Sequence, residues 1–215
     1  MMKKCFVFCT IVFWGSSLFA AHPLATDDIG TVDVGKYELE VSYDNCKEET
    51  ESRNHSCSLS LKHGLTEKMD IGISFPYQIE PKSAEPFGNI AVGVKFLLLK
   101  DIFALTANNE LGSSEYFING IFTQEINPIT VHANIGYTIS SDKNKEGEIS
   151  YCSAFEYSFP KIDLVGEVLG DKVGFQNYLL GVRYKISEGI FVDCAYGNGF
   201  KNTEDKFSFG FHMEF

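Results

Sequence analysis

The chain has 215 residues, of which 44% are apolar and 14% aromatic, and its formal net charge is -11. This length suits one domain or two small ones. Acidic residues outnumber basic ones, 29 against 18, so the composition disfavours a general nucleic-acid-binding surface. The mean hydropathy is close to zero, which excludes a helical integral membrane protein. It does not exclude a β-barrel, because strands that alternate apolar and polar residues average to a neutral value.

Residues 1–21 have the features of an export signal. Two lysines at positions 3 and 4 precede the apolar run CFVFCTIVFW, and a stretch rich in small residues follows it. The apolar run is about half as long as the roughly 20 residues that a membrane-spanning helix needs. We therefore predict a cleaved signal peptide with the cut after Ala20 or Ala21. Cleavage removes both lysines and leaves a net charge of -13.

Export to an oxidising compartment suggests a structural use for the remaining cysteines. Cys46 and Cys57 flank the polar stretch CKEETESRNHSC, where a disulfide would close the loop, with two unpaired thiols as the alternative. Cys152 and Cys194 lie in strand-like segments and are expected to act as small apolar residues. The spacing of Cys and His is not typical of zinc sites, so the sequence predicts neither a metal site nor a cofactor.

Beyond the signal, apolar and polar residues alternate with a period of two. Twelve such segments are predicted, at 36–43, 57–63, 69–79, 90–99, 102–111, 116–124, 129–138, 149–159, 162–169, 175–185, 190–196 and 206–215. The connections alternate between tight turns and longer polar loops, as in barrels with short periplasmic turns and longer outer loops. An even number of strands places both termini on the side of the short turns.

These patterns predict an all-β fold, a transmembrane antiparallel up-and-down β-barrel over residues 36–215 in a bacterial outer membrane. A soluble secreted sandwich or barrel is the alternative, but it would turn its apolar residues toward a core. The C-terminal strand is aromatic and ends at Phe215, which resembles the recognition signal of outer-membrane barrels. The predicted partners are therefore the barrel-assembly machinery, outer-membrane lipid and lipopolysaccharide.

Several segments resemble one known family. Residues 23–32 (PLATDDIGTV) and 35–40 (GKYELE) are similar to the mature N-terminus of the proteins named for the putative meta-pathway of phenol degradation (MetA-type), often called simply transporters. The hairpin at 61–72 resembles the family's Tyr-Gly-Leu-Thr-Asp turn, with His63 at the usual aromatic position. Residues 88–96 resemble a further strand, with Asn89 in place of the usual Asp. The resemblance implies outer-membrane passage of small compounds, aromatic or hydrophobic ones among them.

Residues 22–35 lack the alternation of a membrane strand. We hypothesise that they form a partial plug in the lumen, with a periplasmic leader as the alternative. In the plug, Asp27, Asp28 and Thr31 would accept hydrogen bonds from Arg183, Lys185 or Lys95. The alternation predicts a polar lumen, and the candidate binding residues are Asp27, Asp28, Glu38, Glu40, Lys95, His132, Asn134, Glu167, Arg183 and Lys185.

The function predicted from these features is a channel or transporter for the passive passage of small molecules. A non-conducting structural or surface-exposed barrel is the alternative. A lipid-modifying barrel enzyme is a third, since His132 with Asn134, or His212 with Ser208, would supply part of a catalytic set. No serine lies in a nucleophile turn, however, so we predict no enzyme activity and no catalytic residue.

Overall fold

The computed structural model describes residues 18–47, 53–142, 145–201 and 204–215. They form twelve strands: β1 (Tyr37–Lys47), β2 (Arg53–Thr66), β3 (Met69–Glu80), β4 (Ala91–Leu99), β5 (Phe103–Glu110), β6 (Glu115–Ile126), β7 (Ile129–Ser140), β8 (Glu148–Ser158), β9 (Ile162–Asp171), β10 (Gly174–Ser187), β11 (Ile190–Gly199) and β12 (Asp205–Glu214). Each strand pairs antiparallel with its sequence neighbours, and β12 pairs with β1. The sheet is therefore a closed barrel, which confirms the predicted fold class.

Most of the predicted signal peptide, residues 1–17, lies outside the described residues. Its last residues, 18–21, are described and lie inside the barrel. Within the described ranges, no helix is long and apolar enough to cross a membrane.

The two faces of the barrel wall have opposite chemistry. On β7, Ile135 and Tyr137 are 58% and 48% exposed on the outer face, whereas His132 and Asn134 are only 4% and 3% exposed on the inner face. This distribution is the reverse of that in soluble proteins, where large apolar side chains are the most buried. An apolar belt outside and a polar interior are the features of a barrel that faces lipid. The soluble alternative is therefore excluded.

The connections differ in length at the two rims. Tight turns join β2 to β3, β4 to β5, β6 to β7, β8 to β9 and β10 to β11. Positive φ angles of 63° at Asp101 and 70° at Gly189 allow two of these turns to close tightly. On the other rim, β9 and β10 are joined by residues 172–173 alone, not by the longer loop predicted at 170–174. The length of that loop was overestimated, because β9 and β10 continue beyond the residues at which apolar and polar side chains alternate.

Aromatic pairs mark both rims on the outer side. At the loop rim, the ring centres of Tyr196 and Phe207 are 4.8 Å apart, and those of Tyr151 and Phe175 are 5.4 Å apart. At the short-turn rim, the rings of Phe103 and Phe122 are 4.6 Å apart. Such girdles lie at the level of the lipid headgroups in membrane barrels, so the apolar belt between them is the part that spans the bilayer.

The first and last strands close the barrel at the short-turn rim. The amide of Tyr37 donates to the carbonyl of Phe215 at 2.8 Å, and the amide of Phe215 donates to the carbonyl of Tyr37 at 2.9 Å. Their rings stack with centres 5.8 Å apart. Phe215 therefore completes the ladder between β12 and β1, and both ends of the barrel lie at the same rim.

The predicted Cys46–Cys57 disulfide is contradicted by the register of the β1–β2 hairpin. Cys46 pairs with Asn54, and Cys57 pairs with Tyr43, so the two cysteines are three positions apart along the ladder. At about 3.3 Å per residue this offset exceeds the span of a disulfide. Cys46 also lies on the inner face of β1, the same face as buried Ser42. Cys57 lies on the outer face of β2, because the buried residues Ser60 and Lys62 at even-numbered positions face inward. In the described part of the polar stretch, Lys47 and residues 53–56 extend the two strands.

Candidate functional site: the lumenal segment

Residues 18–35, here called the lumenal segment, lie inside the barrel and not in its wall. Leu24, Thr26 and Asp27 are at most 6% exposed. Their partners belong to strands on different sides of the barrel, from β3 and β4 across to β7 and β9. The segment therefore crosses the lumen and returns to the short-turn rim, where Val34 forms a bridge with Gly64.

Glu167 on β9 holds the first part of the segment. Its carboxylate accepts hydrogen bonds from the amide of Ala25 at 2.9 Å, the amide of Thr26 at 2.9 Å and the Thr26 hydroxyl at 2.8 Å. Glu167 is 5% exposed, and alternation places it on the inner face of its strand. Hydrogen bonds to an ionised acceptor are stronger than neutral ones, so this carboxylate is a principal anchor.

Lys95 on β4 and Asn134 on β7 hold the middle of the segment. The Lys95 ammonium group donates to the Asp27 carboxylate at 2.8 Å and to the carbonyls of Asp28 and Gly30 at 2.8 and 2.9 Å. The Asn134 side chain accepts from the Asp27 amide at 2.7 Å and donates to the Asp27 carbonyl at 2.8 Å. Asp27 is 0% exposed and Lys95 is 2% exposed. Each buried charge therefore has its counter-charge within the lumen, as burial of an ion pair requires.

His22 anchors the other side of the segment. Its Nδ1 atom lies 2.6 Å from Asp193 of β11, and its Nε2 atom lies 2.7 Å from the Ser208 hydroxyl of β12. The His22 amide donates to Glu40 at 3.0 Å. Glycine at position 210 allows this close approach, because a Cβ atom there would lie 2.2 Å from His22 Nδ1.

The surroundings of His22 keep its ring protonated. Burial lowers the pKa of His22, but the hydrogen bond to the Asp193 carboxylate and the nearby carboxylate of Asp44 outweigh that effect and raise the pKa to about 9. At neutral pH the ring is therefore a cation between two acidic side chains. It complements Lys95 as a second charged anchor of the segment.

Ser208, His22 and Asp193 have the connectivity of a catalytic triad, but their protonation does not suit one. A protonated His22 donates to the Ser208 oxygen, and the Ser208 hydroxyl donates to Asp44. A triad needs a neutral imidazole that accepts the serine proton. Ser208 is also 0% exposed. The arrangement is therefore a fixed polar network and not an activated nucleophile.

Leu24 covers an apolar strip on the lumen wall. It packs with buried residues of β8 to β11, namely Ala154, Val165, Leu179 and Ala195. Val165 and Leu179 are inward apolar residues that would otherwise line a hydrophobic route through the barrel. With Leu24 on top of them, that route is closed by the lumenal segment.

Several candidate residues have partners other than those predicted. Arg183, one of the three candidate donors to the segment, donates to Glu156 at 3.2 Å and to the carbonyl of His22 at 3.3 Å. Lys185, another candidate donor, is exposed at the short-turn rim with its ammonium group 5.9 Å from the ring centre of Phe191.

The remaining candidates face the lumen without forming one compact site. Glu38 pairs with Lys62 at 2.5 Å, and Glu40 accepts from the His22 amide. His132 bonds the Thr123 hydroxyl at 2.8 Å, beside the segment and not on it. Several residues that hold the segment were not among the candidates, including His22, Thr26, Asp193 and Ser208. Their positions beside predicted lumen residues become visible only when the path of the segment is known.

One group of side chains has metal-like spacing. The ligand atoms of Glu38, Glu40 and His212 lie within 4.8 Å of one another. Glu38 is already paired with Lys62, and Glu40 accepts the His22 amide. Both carboxylates thus have protein partners, and the group serves the lumenal network.

A cavity of about 350 Å³ opens at the short-turn end of the lumen. Acidic residues outnumber basic ones in its lining. The acids are Asp28, Asp33, Glu38, Asp70, Asp163 and Glu214, and the bases are Lys36, Lys62, Lys95 and Arg183. Residues of the lumenal segment, from Phe19 to Asp33, form part of its lining.

Comparison with solved structures shows the same fold in bacterial channels. The COG4313 outer membrane channel from Pseudomonas putida F1 has a TM-score of 0.57 and 12% identity, over 87% of this chain and 98% of that one. The KdgM porin in complex with disordered oligogalacturonate has a TM-score of 0.60 and 10% identity, over 82% and 99%. The Acinetobacter baumannii outer membrane protein Omp33 has a TM-score of 0.56 and 8% identity, over 84% and 98%. No family model and no curated protein matches the chain.

Proposed function

We propose that this protein is a passive channel for small solutes in a bacterial outer membrane, with both termini in the periplasm and with residues 22–35 as a plug. The observation that supports this proposal most directly is the path of the lumenal segment. The segment crosses a polar lumen and is held there by contacts of Glu167, Lys95, Asn134 and His22. Similarity of fold to known channels supports this function. The resemblance to MetA-type proteins supports aromatic or hydrophobic compounds among the solutes.

The test is the single-channel conductance of the folded protein in planar bilayers. Deletion of residues 22–34 is expected to raise the conductance several-fold, because it removes the groups that fill the lumen. Glu167→Gln is expected to give frequent openings, since it weakens a set of charge-assisted hydrogen bonds, each worth about 1.5–3 kcal/mol. Glu125→Gln changes an exposed glutamate at the end of β6 and is the matched control, with wild-type conductance expected. An unchanged conductance after the deletion would refute the plug.

A crosslink provides the reciprocal test. Thr26 lies near Cys152 of β8, so a Thr26→Cys variant is expected to bring a second thiol close to that of Cys152. Oxidation is expected to fix the segment and abolish the openings, and a reductant is expected to restore them. The wild-type chain under the same oxidant is the control.

The alternative function is a non-conducting structural barrel. The packing of Leu24 over the apolar strip of β8 to β11 favours it, because this contact closes the hydrophobic route. In that case neither the intact chain nor the deletion variant would conduct.

A further inference from the structure

Two glycines form a bare patch on the inner wall of the barrel. Gly72 of β3 and Gly93 of β4 are paired across the ladder, next to the Asp70–Lys95 pair. Leu18 and Phe19 pack on this patch. A Cβ atom at Gly93 would lie 3.0 Å from the Phe19 ring, and one at Gly72 would lie 3.4 Å from it. A Leu18 atom would lie slightly closer, at 2.9 Å from a Cβ at Gly93 and 3.2 Å from one at Gly72, so the missing side chains create a seat for Leu18 and for the edge of the Phe19 ring.

Two cations complete the seat. The Lys95 ammonium group lies 5.6 Å from the centre of the Phe19 ring, within the range of a cation–π interaction. The Lys62 ammonium group donates to the Phe19 carbonyl at 3.0 Å. The seat therefore binds a ring and a carbonyl group that are separated by two carbon atoms. Phe19 is 2% exposed, so the fit is close.

Cleavage of the predicted signal peptide after Ala20 or Ala21 would remove Leu18 and Phe19 and empty this seat. Phe19 lines the cavity of about 350 Å³ at the short-turn end, so the emptied seat would open into that cavity. Lys62 would lose an acceptor. Asp70, which lines the same cavity and is 1% exposed, has a carboxylate oxygen without a hydrogen-bond partner among the described residues. Buried polar atoms of this kind usually bind water or a ligand.

The charges around the seat favour a neutral ligand. Lys62 is paired with Glu38, and Lys95 is paired with Asp27. Asp70 adds a further negative charge beside them. A carboxylate would therefore meet more negative than positive charge, whereas an amide or a hydroxyl group would accept from Lys62 without repulsion.

We propose that the mature lumen binds neutral aryl-alkyl amides and alcohols in the seat between Gly72, Gly93, Lys62 and Lys95. The inference rests on the proposed function and specifies the class of solute that the channel takes. Before cleavage, Leu18 and Phe19 of the signal peptide would occupy the site in place of this solute. Removal of the signal peptide would open the site to ligand.

The test is calorimetry with 3-phenylpropanamide, which carries the ring and the carbonyl of Phe19. The sample is folded protein whose N-terminus has been located by mass spectrometry at Ala21 or His22. Binding is expected, with at least tenfold weaker binding of 3-phenylpropanoate because of its charge. Several-fold weaker binding of 3-cyclohexylpropanamide is expected, because a saturated ring has no cation–π interaction with Lys95.

Two variants of the chain make the test specific. Gly72→Val fills the seat, and the three atoms nearest to its Cβ all belong to Leu18 and Phe19, so the processed protein is expected to fold and to lose binding. Gly120→Val, on the outer face of β6, is the control and should bind normally. The full chain refolded with residues 1–21 retained should not bind, because Phe19 occupies the seat.

Absence of binding to the processed protein, equal binding by Gly72→Val, or retention of Phe19 in the mature chain would each overturn the inference. Conductance measured on the same samples separates this failure from that of the channel function. A conducting protein that does not bind the amide contradicts only the ligand class, whereas loss of conductance in both the intact chain and the deletion variant contradicts the channel.

Discussion

His22 is the residue through which pH acts on the lumenal segment. Its ring lies between Asp193 and Ser208, with Asp44 4.0 Å away, and its backbone contacts Glu40 and Arg183. The counter-charges outweigh burial and raise its pKa from 6.5 to about 9. Protonation of His22 and docking of the segment therefore stabilise each other.

This linkage predicts that the channel opens in alkaline solution. Because the pKa of the docked ring is raised, its favourable contribution is complete below pH 6.5 and is lost as the pH rises through about 9. The loss is on the order of 3 kcal/mol. Conductance of the wild-type protein is expected to rise between pH 8 and pH 10.

The control for this prediction is His22→Gln, which cannot titrate. Its conductance should be higher than that of the wild type at pH 7 and should change little up to pH 10. A pH-dependent rise of the same size in both proteins would assign the effect to other groups.

At the residue scale, the sequence was informative about faces but not about positions within the lumen. Alternation correctly placed Lys95, Asn134 and Glu167 on the inner wall, and the expected contact between Lys95 and Asp27 is present. Alternation did not decide which of Arg183, Lys185 and Lys95 would contact Asp27, because a period of two contains no information about height along the barrel. The partners of His22 come from β1, β11 and β12, far apart in sequence, so local patterns could not bring them together.

At the scale of the strand, the free-energy cost of a charged outward side chain depends on the depth of that residue in the bilayer. Ile135 lies near the middle of β7 and is 58% exposed, whereas Ile126 lies at the short-turn end of β6 and is 62% exposed. A charged side chain costs about 2–4 kcal/mol at the centre of the bilayer and roughly 0–1 kcal/mol near its surface.

Ile135→Arg is therefore expected to lower the folded fraction strongly, and Ile126→Arg is expected to leave it almost unchanged. The measurement is the heat-modifiable fraction on a gel after refolding into vesicles, compared with wild type. Equal losses in both variants would contradict the assignment of the belt.

The strands themselves were predictable because each carries its own alternating pattern and its own turn residues. All twelve were anticipated, and the bounds differ mainly where polar residues continue a strand beyond the apolar belt. The β1–β2 hairpin and the β9–β10 connection are examples. A lumen-facing or loop-rim residue is polar whether it is in a strand or in a loop, so hydropathy could not locate these ends.

At the scale of the whole molecule, the balance of charge in the lumen determines which ions pass. The anchors Lys95, Lys62 and Arg183 are each paired with a carboxylate. The lining of the short-turn cavity retains an excess of acidic side chains. An excess of fixed negative charge at the mouth of a pore concentrates cations.

The open channel is therefore expected to prefer cations, which a reversal potential in a potassium chloride gradient would measure. Asp163→Asn removes an acid from the cavity lining and should reduce the preference. Asp101→Asn, in the β4–β5 turn at the same rim, is the control and should have a smaller effect. Anion preference in the wild type would contradict the assignment of the lining.

The contacts of the lumenal segment also constrain the order of assembly. Its binding site includes residues of β1, β11 and β12, which meet where the barrel closes, so the site is complete only when the last strand has paired with the first. The N-terminus leaves the ribosome first, yet its docking must be among the last events of folding. Until then, Asp27 and His22 are not held by Lys95 and Asp193 of the barrel wall. Docking of the segment therefore indicates that the barrel has closed.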